Sequence, residues 1–374
     1  MTLTLALVHE TVSQWINANK IANSGTFTPS YNNIAGLLDK IAKTYTLDGN
    51  FSDPLPELDG EDLEYAKNLE EYFENLSMPY DYDSTGAGTL NRHDGTFMPN
   101  AYSYPQGKKT FAVTKPYDDL EAAFHDEKGF ADIIAVLIKR LYDSYNVWKF
   151  NVKKQLLGEY ATAADSVMDS GNATAWAVAT AFTVGTVLYA SGIGIGIVVR
   201  AIGATDFASG DTLSDAVESG QVVLLNLESN LAVPTDEATG EAFIQDVKSV
   251  MENAQFPSEG NSLNGNTVGV PEAGLKLYIK KGVMPVLEVQ TLAGAFHKED
   301  LALNVEVKIV DDFGSADEDI YAILVDPRGV KCHSAYRSVK DQLNAEGDFI
   351  NYFMHVRYTL AYSRNTFLHV WKSI

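Results

Sequence analysis

The feature that most constrains this chain is a run of apolar residues at helical spacing before its midpoint. Eight apolar residues recur there every three or four positions: Phe130, Ile134, Leu137, Leu141, Tyr145, Trp148, Val152 and Leu156. This spacing places them all on one face of an α-helix. Asp126 is suited to cap the helix and Gly158 to end it. The sequence therefore predicts one amphipathic helix of about 30 residues and about 45 Å, which is long for a globular protein.

The same segment is basic in an otherwise acidic chain. The 374 residues include 28 Lys and Arg against 50 Asp and Glu, a formal net charge of −22. Such a charge repels a DNA backbone and excludes a strongly basic nucleic-acid-binding protein. The basic residues either keep the outer face of the helix soluble or make weak contact with a polyanion. They are Lys139, Arg140, Lys149, Lys153 and Lys154.

Acidic charge is concentrated ahead of the helix. Residues 48–83 contain 12 acidic residues and only one basic residue, Lys67. The run indicates either a solvated helix face or an acidic patch that meets a basic neighbour. Residues 84–115, rich in Gly, Pro, Asn, Tyr and Thr, are typical of a long projecting hairpin. Such an arm has too little apolar surface to be stable alone, so we expect another body to order it.

Residues 170–199 contain no charged side chain, and their length raises the question of a membrane span. Asn172, several Ser and Thr residues and five glycines argue against one, as does the absence of a second apolar segment. We expect instead a buried helix plus strand, or a segment that neighbouring subunits cover.

The rest of the chain predicts helices mixed with strands, which is an α+β fold. Residues 349–371 are dense in aromatic residues at strand spacing, so the C-terminus is expected inside the fold. The other predicted helices cover residues 3–22, 31–44, 237–252 and 283–303, and the other predicted strands cover 222–227, 275–279, 305–309 and 321–325.

Motifs for catalysis and ligand binding fail on spacing. The glycines at 192, 194 and 196 start a dinucleotide fingerprint, but position 197 is Ile. The glycines at 260 and 265 have the separation of a phosphate loop, but Asn266 replaces its lysine. No two histidines have helical metal-ligand spacing. Cys332, the only cysteine, lies in an alternating strand pattern that predicts a packed thiol. We therefore predict that the protein binds no cofactor and no metal ion and is not an enzyme.

Several short motifs together resemble the major capsid proteins of tailed bacteriophages, which have the Hong Kong 97-type fold. Residues 321–329 (YAILVDPRG), 334–338 (SAYRS) and 348–364 look like the end of those chains. Residues 36–41 (GLLDKI), 97–100 (FMPN) and the helix over 129–145 are similar to parts of small short-tailed phages with protein-primed genomes. Residues 161–220 have no recognised counterpart.

The resemblance implies a division of the chain into parts. Residues 1–46 would form an N-terminal arm with helices, and residues 47–116 an extended loop that lies on the neighbouring subunit. Residues 117–160, with the long spine helix, and residues 331–374 would form the peripheral domain. Residues 161–330 would form the axial domain, which meets its copies at five- and six-fold axes. The implied function is self-assembly into pentamers and hexamers of an icosahedral head shell around double-stranded DNA.

The resemblance also implies partners and residues. The implied partners are further copies of the chain, scaffolding and portal proteins and, by weak non-specific contact, the packaged DNA; no membrane is involved. The protein would be part of the virion and assemble in the host cytoplasm. The basic residues of the long helix, from Lys139 to Lys154, would face the lumen. Some family members crosslink a loop lysine to an asparagine of the next subunit, for which Lys108 or Lys109 with Asn351 or Asn365 are candidates. The inter-subunit loop candidates are Phe97, Tyr102, Tyr104, Lys108, Lys109 and Phe111.

An alternative from another class is a soluble α/β enzyme that acts on a small cationic or neutral substrate in an acidic pocket. Such a protein should be a monomer or a small closed oligomer, whereas a capsid protein should form rings, tubes or shells.

Overall fold

The predicted long helix is present and longer than expected. A computed structural model describes residues 2–3, 14, 46–47, 51, 53–61, 69–74, 97–102, 107–116, 127–287, 305–314 and 319–374. Its helix α1 spans Glu127–Met168, which is about 63 Å at about 1.5 Å per residue. The prediction that Gly158 ends the helix is wrong. An interior glycine costs about 1 kcal/mol, but Leu157, Tyr160 and Ala164 beside it are completely buried, and their burial outweighs that cost. Asp126 lies outside the described residues.

The chain divides into two compact units. Unit 1 comprises Met1–Lys67, Tyr104–Lys153 and Cys332–Leu360, and unit 2 comprises Asn68–Ser103, Lys154–Lys331 and Ala361–Ile374. Helix α1 contributes residues to both units. The described strands are, in chain order, β1 (Thr2–Leu3), β2 (Thr46–Leu47), β3 (Leu69–Glu74), β4 (Phe97–Tyr102), β5 (Gly107–Pro116), β6 (Thr174–Ala175), β7 (Val187–Ala190), β8 (Gly194–Val198), β9 (Val222–Leu224), β10 (Glu228–Asn230), β11 (Lys276–Lys280), β12 (Glu306–Val310), β13 (Ile320–Val325), β14 (Val330–Asn344), β15 (Phe349–Tyr362) and β16 (Leu368–Lys372).

Unit 1 is built on a three-stranded sheet in the order β14-β15-β5. Strand β15 alternates buried and half-buried residues from Phe349 to Val356, so one face of the sheet is covered. Trp148 of α1 packs edge-on against Tyr358 of β15, with ring centroids 4.8 Å apart. The prediction that the aromatic residues near the C-terminus form strand structure inside the fold is therefore confirmed for β15. The helices predicted at 3–22 and 31–44 lie almost entirely outside the described residues, although Leu3 belongs to β1, which pairs with β2.

Unit 2 contains a five-stranded sheet in the order β10-β16-β13-β11-β12. All six residues of β13 are buried, because the strand lies at the centre of the sheet. Helix α2 (Leu213–Glu218) precedes the sheet in the chain, and helix α3 (Glu237–Ala254) packs into its core. Phe243 of α3 lies 5.6 Å from the rings of both Tyr321 and Trp371. The helix predicted at 237–252 and the strands at 275–279, 305–309 and 321–325 are confirmed. Residues 283–287 are helical, and 288–303 lie outside the described residues.

Strand β16 belongs to the sheet of unit 2, whereas β14 and β15 belong to the sheet of unit 1. Residues 331–374 were expected to form one set of peripheral strands, but β16 pairs with β13 and β10 in unit 2, away from the sheet of β14 and β15. Four consecutive residues of β16, Leu368 to Trp371, are buried. A strand buried on both faces must pair its backbone groups on both edges, and β16 does so between β10 and β13.

The uncharged segment folds mainly as strands. Residues 170–199 contribute β6, β7 and β8 to a four-stranded sheet in the order β6-β7-β8-β9, and they contain no helix. The predicted helix is therefore wrong here. Gly192 and Gly194 adopt φ angles of 81° and 120°, which suit a tight turn between β7 and β8 and are open mainly to glycine. This sheet and α2 enclose a small core of their own that includes Phe182, Leu188 and Val198. Among the described residues, no helix has the length and apolar character needed to cross a bilayer.

Candidate assembly surfaces

The acidic part of the predicted loop includes a two-stranded antiparallel hairpin in unit 2. Strand β3 pairs with β4 from Leu69 opposite Tyr102 to Glu74 opposite Phe97. Residues 75–96, which join the two strands, lie outside the described residues. Within unit 2, Ser363 Oγ donates a 2.6 Å hydrogen bond to Glu71 Oε1. The base of the hairpin is therefore attached to its own chain.

One face of β3 presents an acidic and aromatic surface. Glu70 and Tyr72 are two positions apart in the strand and so lie on the same face. Glu70 is exposed and Tyr72 is 63% exposed. The Tyr72 hydroxyl donates to a Glu70 carboxylate oxygen, and that hydrogen bond raises the pKa of Tyr72. The face therefore combines a carboxylate with a large exposed ring, a pairing suited to contact with a basic surface.

The six inter-subunit loop candidates divide into four groups. Phe97 and Tyr102 lie at the two ends of β4, and Tyr104 lies outside the described residues. Phe111 was expected to face another subunit, but it packs against Tyr145 and Trp148 of α1 with centroid distances of 6.2 and 5.8 Å. Phe111 therefore faces the side of the sheet that α1 covers, and a contact of its half-buried ring with another subunit remains a prediction.

Lys108 and Lys109, the remaining loop candidates, line a cavity in unit 1. It has a volume of about 440 Å³ and lies where β5, β14 and β15 come together. Strands β5 and β15 place Lys108 opposite Arg357 and Lys109 opposite Val356. The lining residues are Lys108, Lys109, Thr110, Ser338, Lys340, His355, Val356 and Arg357.

Two polar side chains of the cavity differ in how well they are satisfied. Thr110 Oγ1 and His355 Nδ1 lie 2.9 Å apart and share a hydrogen bond. Ser338 is 6% exposed, and its Oγ finds no hydrogen-bond partner in the part of the chain that the structure describes. A buried hydroxyl without a partner is unfavourable, so Ser338 is a lining residue whose hydrogen-bonding capacity is unmet among the described residues. The site could not be predicted from the sequence, because β5 lies more than 200 residues before β14 and β15 in the chain.

Lys153, proposed as a lumen-facing residue, is instead the centre of an ion-pair cluster in unit 1. Its side chain is completely buried. Its Nζ lies 2.5 Å from both Asp53 Oδ2 and Asp59 Oδ1, and 2.6 Å from the Leu55 carbonyl oxygen, to which it donates. Lys149 Nζ pairs with Asp59 Oδ1 at 2.7 Å. Together these contacts bind residues 53–59, the start of the predicted loop, to helix α1.

Lys154 is also withdrawn from solvent. Its side chain is 5% exposed, and its Nζ lies 2.5 Å from Asp311 Oδ1 and 3.3 Å from Asp312 Oδ2 within unit 2. Burial opposes the ionised form of Asp311, but the hydrogen bond and charge of Lys154 outweigh it and lower the pKa of Asp311. The prediction of a lumen-facing charge is therefore wrong for Lys153 and Lys154, because each is buried against carboxylates of its own unit.

The other predicted basic residues differ in exposure. Lys149 has a side chain 15% exposed and engaged with Asp59. Lys139 is half-buried, and Arg140 is exposed. The solvent-facing side of α1 therefore carries less positive charge than the sequence implied. For Lys139, Arg140 and Lys149, a position facing the lumen remains a prediction.

The two crosslink candidates also differ. Asn365 is 7% exposed, and its Oδ1 accepts hydrogen bonds from the side chains of Asn264 and Asn266. It is therefore wrong as a partner for a lysine of another subunit. Asn351 is half-buried and accepts a 2.6 Å hydrogen bond from Thr114. A crosslink through Asn351 remains a prediction.

The described residues show little reactive chemistry. Cys332 is 3% exposed, and burial raises the pKa of its thiol to about 11, so the prediction of a packed, unreactive thiol is confirmed. Among the described His, Cys, Asp and Glu residues, no group of three is placed to hold a metal ion.

Comparison with known protein families identifies the type of protein. Residues 8–371 match the Phi29-like phage major capsid protein family. The chain belongs to this family. It is therefore a major capsid protein of a tailed bacteriophage, a structural component of the virion that assembles with its own copies into the icosahedral head shell. The alternative of a soluble enzyme finds no support in the comparison.

Solved structures establish the fold. The capsid structure of Staphylococcus phage Andhra is similar over 88% of this chain and 87% of that chain, with a TM-score of 0.55 and 11% identity. A chain in the structure of the head fiber and inner core protein gp22 of native bacteriophage P68 is similar over 88% and 86%, with a TM-score of 0.53 and 11% identity. No curated protein matches the sequence. The predicted α+β fold of the Hong Kong 97 type is confirmed.

Proposed function

We propose that, in the head shell, the extended loop over residues 47–116 lies on a neighbouring subunit and holds the two together. The observation that carries this proposal is the β3–β4 hairpin. Within the described part of the chain the hairpin is a ladder of two strands, and Tyr72 on it is 63% exposed. Two strands alone are marginally stable in water, and a large exposed ring gains from being covered.

Each part of the chain has its own structural role in this proposal. Residues 1–46 act as an N-terminal arm. Residues 117–160, with strands β14 and β15, form a peripheral domain, and residues 161–330, together with β16, form an axial domain that meets its copies at five- and six-fold axes. The separate sheets of unit 1 and unit 2 support this division.

Contact with packaged DNA is proposed to be weak and non-specific. Arg140 is exposed on α1, whereas Lys153 and Lys154 are neutralised by carboxylates. With a net charge of −22, a surface of this kind lets a duplex move past without strong adhesion. Assembly in the host cytoplasm with scaffolding and portal proteins belongs to the same proposal and rests on the family.

Shortening the hairpin tests the role of the loop. Residues 70–101 are replaced by Asn-Gly, which joins Leu69 to its cross-strand partner Tyr102 by a tight turn and removes the exposed face with Glu70 and Tyr72. We expect a folded subunit, with unchanged circular dichroism and urea unfolding midpoint, that forms no shells in sedimentation and electron microscopy. Normal shells from the shortened chain would refute the proposal.

A pair of point variants provides the matched control. Tyr72→Ser removes the exposed ring and should lower shell yield, while Tyr72→Phe keeps the ring and should retain it. Equal yields from both variants would show that the ring is not part of a contact.

A further inference from the structure

The cavity in unit 1 is positively charged in a chain that is strongly negative overall. Four of its eight lining residues, Lys108, Lys109, Lys340 and Arg357, are cationic, and none of the eight is acidic. Cations grouped around a cavity repel one another, so an anion between them gains free energy.

A second, independent feature points to an anionic acceptor. Ser338 lines the same cavity, and its Oγ is buried without a hydrogen-bond partner among the described residues. A carboxylate has only acceptor sites and can take one hydrogen bond from a hydroxyl and others from lysine ammonium groups. A side chain carboxylate therefore satisfies both the charge and the donor.

We propose that this cavity is a docking site for the acidic face of strand β3 of a second copy of the chain. This inference rests on the proposed function and names the surface that receives the loop. The exposed carboxylate of Glu70 enters the cavity, and the exposed ring of Tyr72 becomes covered in the same contact. Charge complementarity supports this occupant, because β3 carries Glu70, Glu71 and Glu74 and no basic residue, opposite in charge to the cavity.

Nucleic acid is the less favoured occupant. A cavity of about 440 Å³ accommodates one or two side chains, whereas duplex binding normally uses an extended basic surface. The net negative charge of the rest of the chain also repels a polyanion, and the positive charge of one cavity is too small to offset that repulsion.

The test reverses charge on each side of the contact. The double variant Lys108→Glu/Lys109→Glu should lower shell yield at least tenfold, measured by sedimentation and electron microscopy of the full-length protein. Adding Glu70→Lys to that variant should restore most of the yield, because opposite charges again face each other. Lys115→Glu, on the same strand outside the cavity, is the matched control and should assemble normally.

Further variants separate the outcomes. Ser338→Ala should weaken assembly less than charge reversal, since it removes one hydrogen bond and no charge. Unchanged circular dichroism and urea midpoints show that each variant folds. Normal shells from Lys108→Glu/Lys109→Glu, or no recovery on adding Glu70→Lys, would overturn the docking site. If the shortened hairpin still fails to assemble in that case, the proposed role of the loop survives while this contact does not. Loss of binding to a short DNA duplex in the lysine variant, with shells intact, would assign the cavity to nucleic acid and also overturn the proposal.

Discussion

The buried ammonium group of Lys153 leads to an asymmetric mutational prediction. Its side chain has no exposed surface, whereas those of its partners Asp53 and Asp59 are 16% and 40% exposed. The lysine therefore depends on the carboxylates for its charge, but the carboxylates still reach water. Removing the lysine and removing its partners should have unequal costs.

The structure allows the two costs to be compared. Asp53→Asn/Asp59→Asn removes both negative charges beside the buried ammonium group and leaves only neutral oxygen acceptors, among them the Leu55 carbonyl, and a buried charge without a counter-charge costs about 3–5 kcal/mol. Lys153→Met keeps most of the side chain volume and leaves Asp59 paired with Lys149. It loses hydrogen bonds but strands no charge, so we expect about 1–2 kcal/mol.

Urea denaturation of the unassembled subunit at pH 7, followed by circular dichroism, measures both free energies of unfolding. Combining Lys153→Met with the two asparagine substitutions should recover stability relative to the double variant, because no buried charge remains. A Lys153→Met variant as unstable as the double asparagine variant would refute the reasoning. So would a triple variant that is no more stable than the double variant.

Three further predictions concern side chains that are buried in the subunit. His369 is fully buried between Ser229 and Asn226, and burial lowers its pKa from 6.5 to about 4. The unfolded chain therefore binds the proton more readily between those values, so the free energy of unfolding should fall by about 3 kcal/mol as the pH drops from 6.5 to 4. Urea titrations should show this contribution and its loss in His369→Gln; an unchanged slope in that variant would contradict it. Cys332 should resist a thiol reagent at pH 8 in the native subunit and react fully in urea; rapid native labelling would show that the thiol is not buried. Phe243→Ala should destabilise by about 3–5 kcal/mol because its ring is completely buried, whereas Phe256→Ala, 65% exposed, should change stability by less than about 0.5 kcal/mol; similar effects would refute the assigned burial.

Regular patterns could be predicted from the sequence because one local signal decided each of them. The spacing of Phe243, Val247, Val250 and Met251 indicated α3, and the structure buries all four side chains. The apolar run at 321–325 indicated a strand, and β13 is buried throughout. In both cases the pattern of side chains and the tertiary packing favour the same structure.

The errors arise where tertiary contacts override a local rule. Gly158 is a helix-ending residue by propensity, but the burial of the neighbouring α1 residues keeps the helix intact. Lys153 and Lys154 appear as surface cations in the sequence, because the carboxylates that neutralise them lie about 100 and 157 positions away. The residues around Ser338 form a cavity only after β5, β14 and β15 come together. In all three cases the interacting residues lie far apart in the sequence, and the spacing of neighbouring residues carries no information about such contacts.

The four-stranded sheet β6-β7-β8-β9, to which the uncharged segment contributes three strands, affects how the chains behave when they are crowded together in a shell. Its outermost strands, β6 and β9, are only two and three residues long. Long unpaired strand edges recruit other strands and start aggregation, and short ones offer few backbone groups for that purpose. In a shell, identical chains are held side by side at very high local concentration, so an apolar sheet with a long bare edge would join its counterpart out of register. Because its edge strands are short, this segment can lack charged residues without starting misassembly.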